Sequence, residues 1–359
     1  IKEDGSLWTF GYNNFGQLGN GTQVDSPTPV QIETSGVVDV SPYWDTTLYV
    51  KSDGSLWGMG RNHYNMLKKA GSMDYFSPVK MVESGVTKAA VGYWFLIYLK
   101  DDGSVWGRGS NLYGQLGQSG GSSYFDPIQI IASGAVDVAA GTEHSMILME
   151  DGKILTFGGN EYGQLGTGEP ILYQTPQKLP NLKVKDVATN TNGSYFVDLN
   201  GSLWSVGYED YGDLGNGSAG HSSVPVKVVD GNVSSVETQY VHVLFRDVNG
   251  SLYGFGNGVH GRLANNSSTN RKSPIMVQDE NVTSYATGKE HSAMVLTDGS
   301  LWTFGNNGYG QLGDGNNTHQ RVPVKIVDAN VTQVAAGWHH TLFLKKDGSV
   351  WSMGRNQAG

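Results

Sequence analysis

The sequence predicts an all-β fold, a seven-bladed β-propeller whose blades are four-stranded antiparallel sheets. Three markers recur every 49 residues along the 359-residue chain: an Asp-Gly or Asn-Gly turn, a Gly-Gln-Leu-Gly loop and a proline. No segment has the period and the caps of an amphipathic helix. Repeats of about 40–50 residues with four strands each are typical of propeller blades, because each blade must cover the apolar face of its neighbour.

The turn glycine sets the phase of the repeat. Asp-Gly or Asn-Gly between two β-rich segments favours a tight hairpin turn with positive φ. This glycine stands at Gly5, Gly54, Gly103, Gly152, Gly201, Gly250, Gly299 and Gly348. The proline keeps the same spacing at Pro29, Pro78, Pro127, Pro176, Pro225, Pro274 and Pro323. We therefore interpret residues 1–359 as a single propeller domain.

Each repeat divides into four predicted strands. The segment 136–140 is small and apolar, as an inner strand requires, and a second strand over 145–149 ends at Asp151-Gly152. The third strand alternates, as in Ser6 to Phe10, which places one set of side chains on each face. The Pro-Val segment at 29–32 suits an outer edge strand, where a proline removes no needed hydrogen-bond donor.

The two ends of the chain do not coincide with repeat boundaries. Seven 49-residue units leave 16 residues over, and residues 1–16 and 344–359 occupy the same phase. One copy of the third strand is therefore surplus. We expect the N- and C-terminal strands, near 28–32 and 331–345, to share one blade and close the ring. We also expect a longer parent repeat protein, because neither end resembles a capping element.

Composition excludes several functional classes. The chain has 24 Lys+Arg against 33 Asp+Glu, a formal net charge of −9, which disfavours a general nucleic-acid-binding surface. It contains no Cys, so disulfides, thiolate metal sites and Cys nucleophiles are absent. No apolar run approaches the ~20 residues of a membrane-spanning helix, so we expect no membrane insertion. The nine His residues lack metal-site spacing, and no catalytic triad can be assembled. We expect no catalysis, no cofactor and no metal.

Several recurring residues have a structural interpretation. The repeated third-strand Trp is replaced by Leu155 and Tyr253 in two repeats, so bulk between blades explains it. The histidine of the Gly-x-x-His turn is expected to tether that turn by a hydrogen bond. The acidic pairs Glu209-Asp210 and Asp279-Glu280 are expected to be solvated loop residues.

The turn that joins the first and second strands differs from repeat to repeat, as a recognition surface on a rigid scaffold should. The three Trp residues outside the third-strand position, Trp44, Trp94 and Trp338, all fall in this turn. The candidate partner-binding residues are Tyr43, Trp44, Asp45, Tyr93, Trp94, Phe95, Glu143, Asn192, Tyr240, Trp338 and His339. If the last blade closes against the first, the three Trp residues form one aromatic arc with a polar side opposite.

The full set of motifs resembles one repeat family. It comprises Gly-x-x-His-(Ser/Thr), Asp-Gly-Ser-(Leu/Val)-Trp, Gly-x-Asn-x-x-Gly-Gln-Leu-Gly and Pro-Val, with the fullest copies at 141–166 and 288–313. These motifs resemble the regulator of chromosome condensation repeat family over essentially the whole chain. The resemblance implies a seven-bladed propeller. It does not determine a function, because the scaffold serves unrelated roles.

We expect a non-enzymatic protein-binding module that uses the aromatic turns at one end of the ring. The chain is similar to a secreted bacterial propeller of this family that inhibits β-lactamases, although its Gln-Leu-Gly loops are longer. That similarity implies a secreted or surface location in a bacterium, and a cytoplasmic location is left open. Two alternatives remain open: carbohydrate binding by the same aromatic residues, and the nucleotide exchange and chromatin binding of the family's eukaryotic founder. The oligomeric state is left open.

Overall fold

The computed structural model describes residues 1–68, 73–179 and 182–355. These residues form 29 strands and two short 3-10 turns, at His63–Asn65 and Val259–Gly261. The fold is an all-β, seven-bladed propeller with four-stranded antiparallel blades, so the predicted fold class is confirmed. No helix within the described ranges is long and apolar enough to cross a membrane.

The chain begins with a two-stranded sheet of β1 (Leu7–Gly11) and β2 (Ser26–Glu33), followed by complete blades. Blade 1 contains β3 (Val37–Tyr43), β4 (Thr46–Lys51), β5 (Leu56–Gly60) and β6 (Tyr75–Val82). Blade 2 contains β7 (Val86–Gly92), β8 (Phe95–Lys100), β9 (Val105–Ser110) and β10 (Ser123–Ile131). Blade 3 contains β11 (Ala135–Ala140), β12 (His144–Met149), β13 (Ile154–Gly158) and β14 (Tyr173–Lys178).

Three further complete blades follow. Blade 4 contains β15 (Val184–Thr189), β16 (Gly193–Asp198), β17 (Leu203–Gly207) and β18 (Ser222–Val229). Blade 5 contains β19 (Val233–Thr238), β20 (His242–Asp247), β21 (Leu252–Gly256) and β22 (Arg271–Gln278). Blade 6 contains β23 (Val282–Thr287), β24 (His291–Leu296), β25 (Leu301–Gly305) and β26 (Gln320–Val327). A three-stranded sheet of β27 (Val331–Ala336), β28 (His340–Lys345) and β29 (Val350–Gly354) comes last.

The pairing of the terminal strands differs from the prediction that N- and C-terminal strands share one blade. In the described residues β1 pairs with β2, whereas β27, β28 and β29 pair with one another, so each end has a sheet of its own. The surplus third strand is the physical reason. Outer strand β2 finds its third-strand partner in β1, and second strand β28 finds its own in β29.

The Asp-Gly-Ser turn explains why glycine recurs every 49 residues. The Asp53 carboxylate accepts hydrogen bonds from the backbone N–H and the hydroxyl of Ser55, which closes the turn. Gly54 has φ +76° and its carbonyl accepts from the N–H of Val86, at the start of the next blade. A Cβ at Gly54 would lie 2.4 Å from the backbone N of Gly85. Glycine is therefore required both by the left-handed backbone and by the close approach of the next blade.

Hydroxyl groups on second strands tie neighbouring sheets together. Each donates to the carbonyl of the residue 30 positions earlier, at the Gln of the Gly-Gln-Leu-Gly loop or its equivalent. The pairs are Thr47 to Gln17, Ser145 to Gln115, Ser194 to Gln164, Ser292 to Arg262 and Thr341 to Gln311. The acceptor carbonyls therefore have a side-chain partner even though they lie in loops.

Contacts divide the chain into two compact units. Unit 1 comprises Ile1–Glu161 and Ile171–Lys183, and unit 2 comprises Tyr162–Pro170 and Val184–Arg355. Within unit 1, Leu48 and Leu56 of blade 1 pack against Val86 and Leu96 of blade 2. Within unit 2, blades 5 and 6 share a similar cluster that contains Phe304. Apolar burial between successive blades thus supplies the core, as each blade has two faces to cover.

Candidate functional site

Two tight turns in unit 1 place aromatic side chains at the surface. Trp44 and Asp45 connect β3 to β4, because Tyr43 pairs directly with Thr46. The corresponding turn between β7 and β8 consists of Tyr93 and Trp94. Trp44 has φ 49° and Trp94 has φ 68°, both in the left-handed region. A bulky residue pays about 1–2 kcal/mol for this backbone, so such positions often carry a function.

The side chains of these turns form a contiguous group, here called the aromatic cluster: His63, Tyr64, Trp44, Tyr93 and Trp94. The rings of Tyr93 and Trp94 stack with centroids 4.0 Å apart, and Trp44 meets Tyr93 edge-on at 5.9 Å. On the other side of Trp94, its ring centroid lies 4.7 Å from that of His63 and 5.5 Å from that of Tyr64. Trp44 is 61% exposed, so the cluster offers an aromatic face to solvent.

His63 and Tyr64 were not among the residues predicted from the sequence. They lie in a loop where the Gly-Gln-Leu-Gly motif is nearly lost, at Asn65 to Lys68. Tyr64 also has a left-handed backbone, with φ 52°. The loss of this motif, which most other repeats keep, could have indicated these two residues. A loop that departs from the repeat consensus can carry side chains that the scaffold does not need.

A small cavity of about 90 Å³ opens beside the cluster, between blades 1 and 2. Asp45 and Arg61 form an ion pair on its wall, with N and O atoms 3.4 Å apart. Burial raises the pKa of Asp45 above its ordinary value, and Arg61 opposes the rise. The Tyr43 hydroxyl lies 3.2 Å from that of Thr142, and burial raises its pKa as well. The cavity therefore combines an aromatic wall with a charged pair.

Two predicted residues of unit 1 lie elsewhere. Phe95 is 0% exposed and packs in the core with Ile97 and Val138, so it has no surface to offer a partner. It follows the Trp94 turn in sequence, but strand alternation directs it inward. Glu143 is half-buried, and burial together with the neighbouring Glu161 raises its pKa.

Two predicted residues of unit 2, Tyr240 and Trp338, lie beside one lysine. The Lys289 ammonium lies 4.5 Å from the ring centroid of Trp338 and 5.5 Å from that of Tyr240, both cation–π distances. His339 contacts the Trp338 ring edge-on and lies 4.7 Å from the ring of Tyr309. The single arc that would join this group of unit 2 to Trp44 and Trp94 stays a prediction.

A second and larger cavity lies between blades 4 and 5 of unit 2. Its volume is about 230 Å³, and its walls include the predicted residues Asn192 and Tyr240. Asp213 also lines it, only 3% exposed. Glu209, expected to be solvated, is 4% exposed and its carboxylate accepts from the N–H of Leu214 at 2.6 Å. The expectation of a solvated loop is wrong for Glu209 and holds for Asp210, which is exposed.

The histidines of the Gly-x-x-His turn reach the next sheet rather than only their own turn. His242 Nε2 lies 2.8 Å from the Ser292 hydroxyl, and His291 Nε2 lies 2.8 Å from that of Thr341. Burial lowers the pKa of His291 to about 3 and that of His144 to about 4, so both rings are neutral. Within the described ranges no three His, Asp or Glu side chains are grouped to hold a metal ion.

Comparison with known proteins agrees with the repeat motifs. A model of the RCC1-like domain matches residues 128–359, and models of the regulator of chromosome condensation (RCC1) repeat match 4–42, 86–115 and 102–148. No curated protein sequence matches the chain.

Solved structures share the fold. Human WBSCR16 is similar with a TM-score of 0.78 and 22% identity, over 95% of this chain and 100% of that one. Prp20p from Saccharomyces cerevisiae, studied for its binding to Gsp1p and histones, is similar with a TM-score of 0.74 and 16% identity. The match covers 99% of this chain and 93% of that one. Yeast RCC1 (Prp20), in a structure with Kap60, is similar with a TM-score of 0.74 and 17% identity, over 97% of this chain and 88% of that one. At these identities the likeness concerns the fold alone.

Proposed function

The chain belongs to the regulator of chromosome condensation (RCC1) repeat family, and from that premise we propose that it is a non-enzymatic module that binds another protein through the aromatic cluster of unit 1. The observation that carries the proposal is the contiguous group of Trp44, Tyr93 and Trp94 on two turns with left-handed backbone, in which Tyr93 and Trp94 stack and Trp44 is exposed. Scaffold packing does not require it, because other repeats form the same connection without these rings.

The Trp and Tyr side chains of the cluster favour a protein partner. Trp and Tyr are enriched among interface residues whose truncation costs at least about 2 kcal/mol, because they bury much area with few rotatable bonds. The stacked rings of Tyr93 and Trp94 fix each other's orientation, so little side-chain freedom remains to be lost on binding. The Asp45–Arg61 pair on the adjacent wall adds polar groups at the edge of this apolar patch, an arrangement typical of interfaces.

The proposal is tested by capture with matched variants. Immobilised wild-type protein, Trp44→Ala/Trp94→Ala and Trp351→Ala are exposed to extracellular and surface proteins of the source cell, and bound proteins are quantified by mass spectrometry. Trp351 is the control because it is also an exposed Trp, 51% accessible, but belongs to β29 in unit 2. We expect a protein that is enriched by wild type and Trp351→Ala and lost from the double variant.

The outcome against the proposal is equal capture by all three proteins with unchanged melting curves. The use of extracellular proteins reflects the expected location at or outside the cell surface, which is part of the same proposal. If the same capture yields a partner only from the intracellular proteins of that cell, the proposed location is wrong and the proposed binding site is retained.

Carbohydrate binding is the second candidate, and the exposed ring of Trp44 beside the Asp45–Arg61 pair favours it. Aromatic faces stack on sugar rings, and the charged pair offers both donors and acceptors to hydroxyl groups. A glycan array separates the two candidates: retention of a defined glycan by wild type and Trp351→Ala, but not by the double variant, would replace the protein partner with a sugar.

A further inference from the structure

The loop between β17 and β18 differs from the equivalent loops of other repeats by two charges. In those loops an Asn carboxamide accepts the N–H of the Leu five residues later, and a Gln carboxamide accepts the N–H of the residue two positions earlier. The Asn residues with that bond are Asn13, Asn62, Asn111 and Asn307, and the Gln residues are Gln17, Gln115, Gln164 and Gln311. In this loop Glu209 and Asp213 stand at these two positions and accept the same bonds.

The substitution leaves carboxylate oxygens without partners inside the protein. Glu209 is 4% exposed and Asp213 is 3% exposed, and Glu209 Oε1 and Asp213 Oδ1 have no hydrogen-bond partner in the described residues. The guanidinium of Arg262 interacts electrostatically with Asp213, but it donates to the backbone carbonyls of Val259 and Lys289. A buried carboxylate whose neighbouring cation donates its hydrogen bonds elsewhere is still costly, so a further cation that hydrogen-bonds to it is stabilised more here than at the surface.

A cavity adjoins the carboxylate of Asp213, and its other walls are also suited to a cation. It has a volume of about 230 Å³ and is lined by Asp213, by the amides of Asn190 and Asn192, and by four tyrosines. The tyrosines are Tyr195, Tyr208, Tyr211 and Tyr240. Aromatic faces attract organic cations. The amide oxygen of Asn192 can accept a hydrogen bond from an N–H group, whereas that of Asn190 already accepts from the N–H groups of Asn192 and Gly193.

We propose that this cavity takes the guanidinium group of an arginine side chain presented by another protein. A planar guanidinium stacks on tyrosine faces and directs several N–H donors, all in one plane, toward a carboxylate and an amide oxygen. The space admits the end of a long side chain, whereas a metal ion would need more ligands than the described residues bring together. The inference rests on the proposed function only in assigning the arginine to a protein partner.

The test uses a probe that carries the group alone. Nα-acetyl-arginine amide is titrated into full-length protein with isotope-labelled tyrosine rings at about pH 8, where Asp213 is ionised. Nα-acetyl-citrulline amide, which has the same shape without the charge, is titrated in parallel. We expect the arginine probe to move the ring signals of Tyr208, Tyr211 and Tyr240, and the citrulline probe to leave them unchanged.

Variants locate the site. Asp213→Asn keeps an acceptor for the Tyr211 N–H and is expected to weaken binding of the arginine probe at least about tenfold, because a charge-assisted hydrogen bond is lost. Asp328→Asn removes the same charge from a side chain that is 97% exposed and does not line the cavity, and it is expected to change affinity less than about twofold. Equal binding of citrulline, equal binding by Asp213→Asn, or no response to the arginine probe overturns the inference.

The experiment separates this inference from the proposed function. The titration reads only the tyrosine-lined cavity of unit 2, and it is made without any protein partner. Loss of partner capture in Trp44→Ala/Trp94→Ala concerns only the aromatic cluster of unit 1. If the arginine probe binds and Trp44→Ala/Trp94→Ala still captures the partner, the cavity is supported as an arginine site. The aromatic cluster is then not the binding site.

Discussion

Replacement of Asp213 by Asn should stabilise the protein at alkaline pH and leave it unchanged in acid. Burial raises the pKa of Asp213 from 3.8 to about 7, with the negative charges of Glu209 and Asp210 adding to the rise. The folded protein therefore keeps a proton on this carboxyl that the unfolded chain releases near pH 4. The stabilising contribution is complete below pH 4 and is lost as pH rises through about 7.

The size of the stabilisation by Asp213→Asn follows from the same two pKa values. A rise in pKa from 3.8 to about 7 is worth at most about 4 kcal/mol in unfolding free energy. Relaxation around the ionised carboxylate and its coupling to Glu209 reduce this, so we expect Asp213→Asn to exceed wild type by about 2 kcal/mol at pH 8. The buried histidines depend on pH in the opposite sense, but they are present in both proteins and cancel in the difference.

The assay is urea unfolding followed by tryptophan fluorescence at a series of pH values from about 4.5 to 8.5. Asp213→Gln, which introduces the residue that four other repeats have at this position, should behave like Asp213→Asn. Asp328→Asn removes a charge from a side chain that is 97% exposed and should track wild type throughout. The reasoning is refuted if Asp213→Asn and wild type differ by a constant amount at every pH, or if the variant is the less stable protein at pH 8.

Three further predictions concern the backbone and the contacts between sheets. Trp94→Gly should be about 1 kcal/mol more stable than Trp94→Ala in thermal unfolding, because only glycine adopts φ 68° without strain; equal stability would contradict the strain. Thr341→Val should lose about 1–2 kcal/mol, because His291 Nε2 loses its buried partner, whereas Thr341→Ser should retain most of the stability. Gly103→Ala should lower unfolding free energy by more than about 1 kcal/mol, because its Cβ would lie 2.6 Å from the backbone N of Gly134 at φ +74°; a neutral effect would show that the turn can move.

The repeat and the strand order could be predicted because they depend on local chemistry. Asp-Gly turns, alternating third strands and the Pro-Val edge each leave a short-range pattern, and a constant spacing aligns them. The same alignment located the turns of Trp44 and Trp94. It included Phe95 wrongly, because a position next to a turn does not reveal which side of the strand the ring occupies.

The remaining features depend on packing between elements distant in sequence. His63 joins the aromatic cluster because a degenerate loop of blade 1 lies beside the turn of blade 2, and no local pattern specifies that neighbour. Burial of Glu209 was missed for the same reason, since an acidic pair in a loop is ordinarily solvated. The sheets at the two ends were mispredicted because β1 and β29 are equivalent copies, and sequence alone does not decide which of them an adjoining strand selects.

The most direct measurement of the central claim is the dissociation constant of the captured partner, once purified, for wild type, Trp44→Ala/Trp94→Ala and Trp351→Ala. Two interface tryptophans of the expected kind predict a loss of at least about 100-fold in the double variant and an unchanged constant for Trp351→Ala. Equal dissociation constants for all three proteins would contradict the assignment of the aromatic cluster as the binding surface.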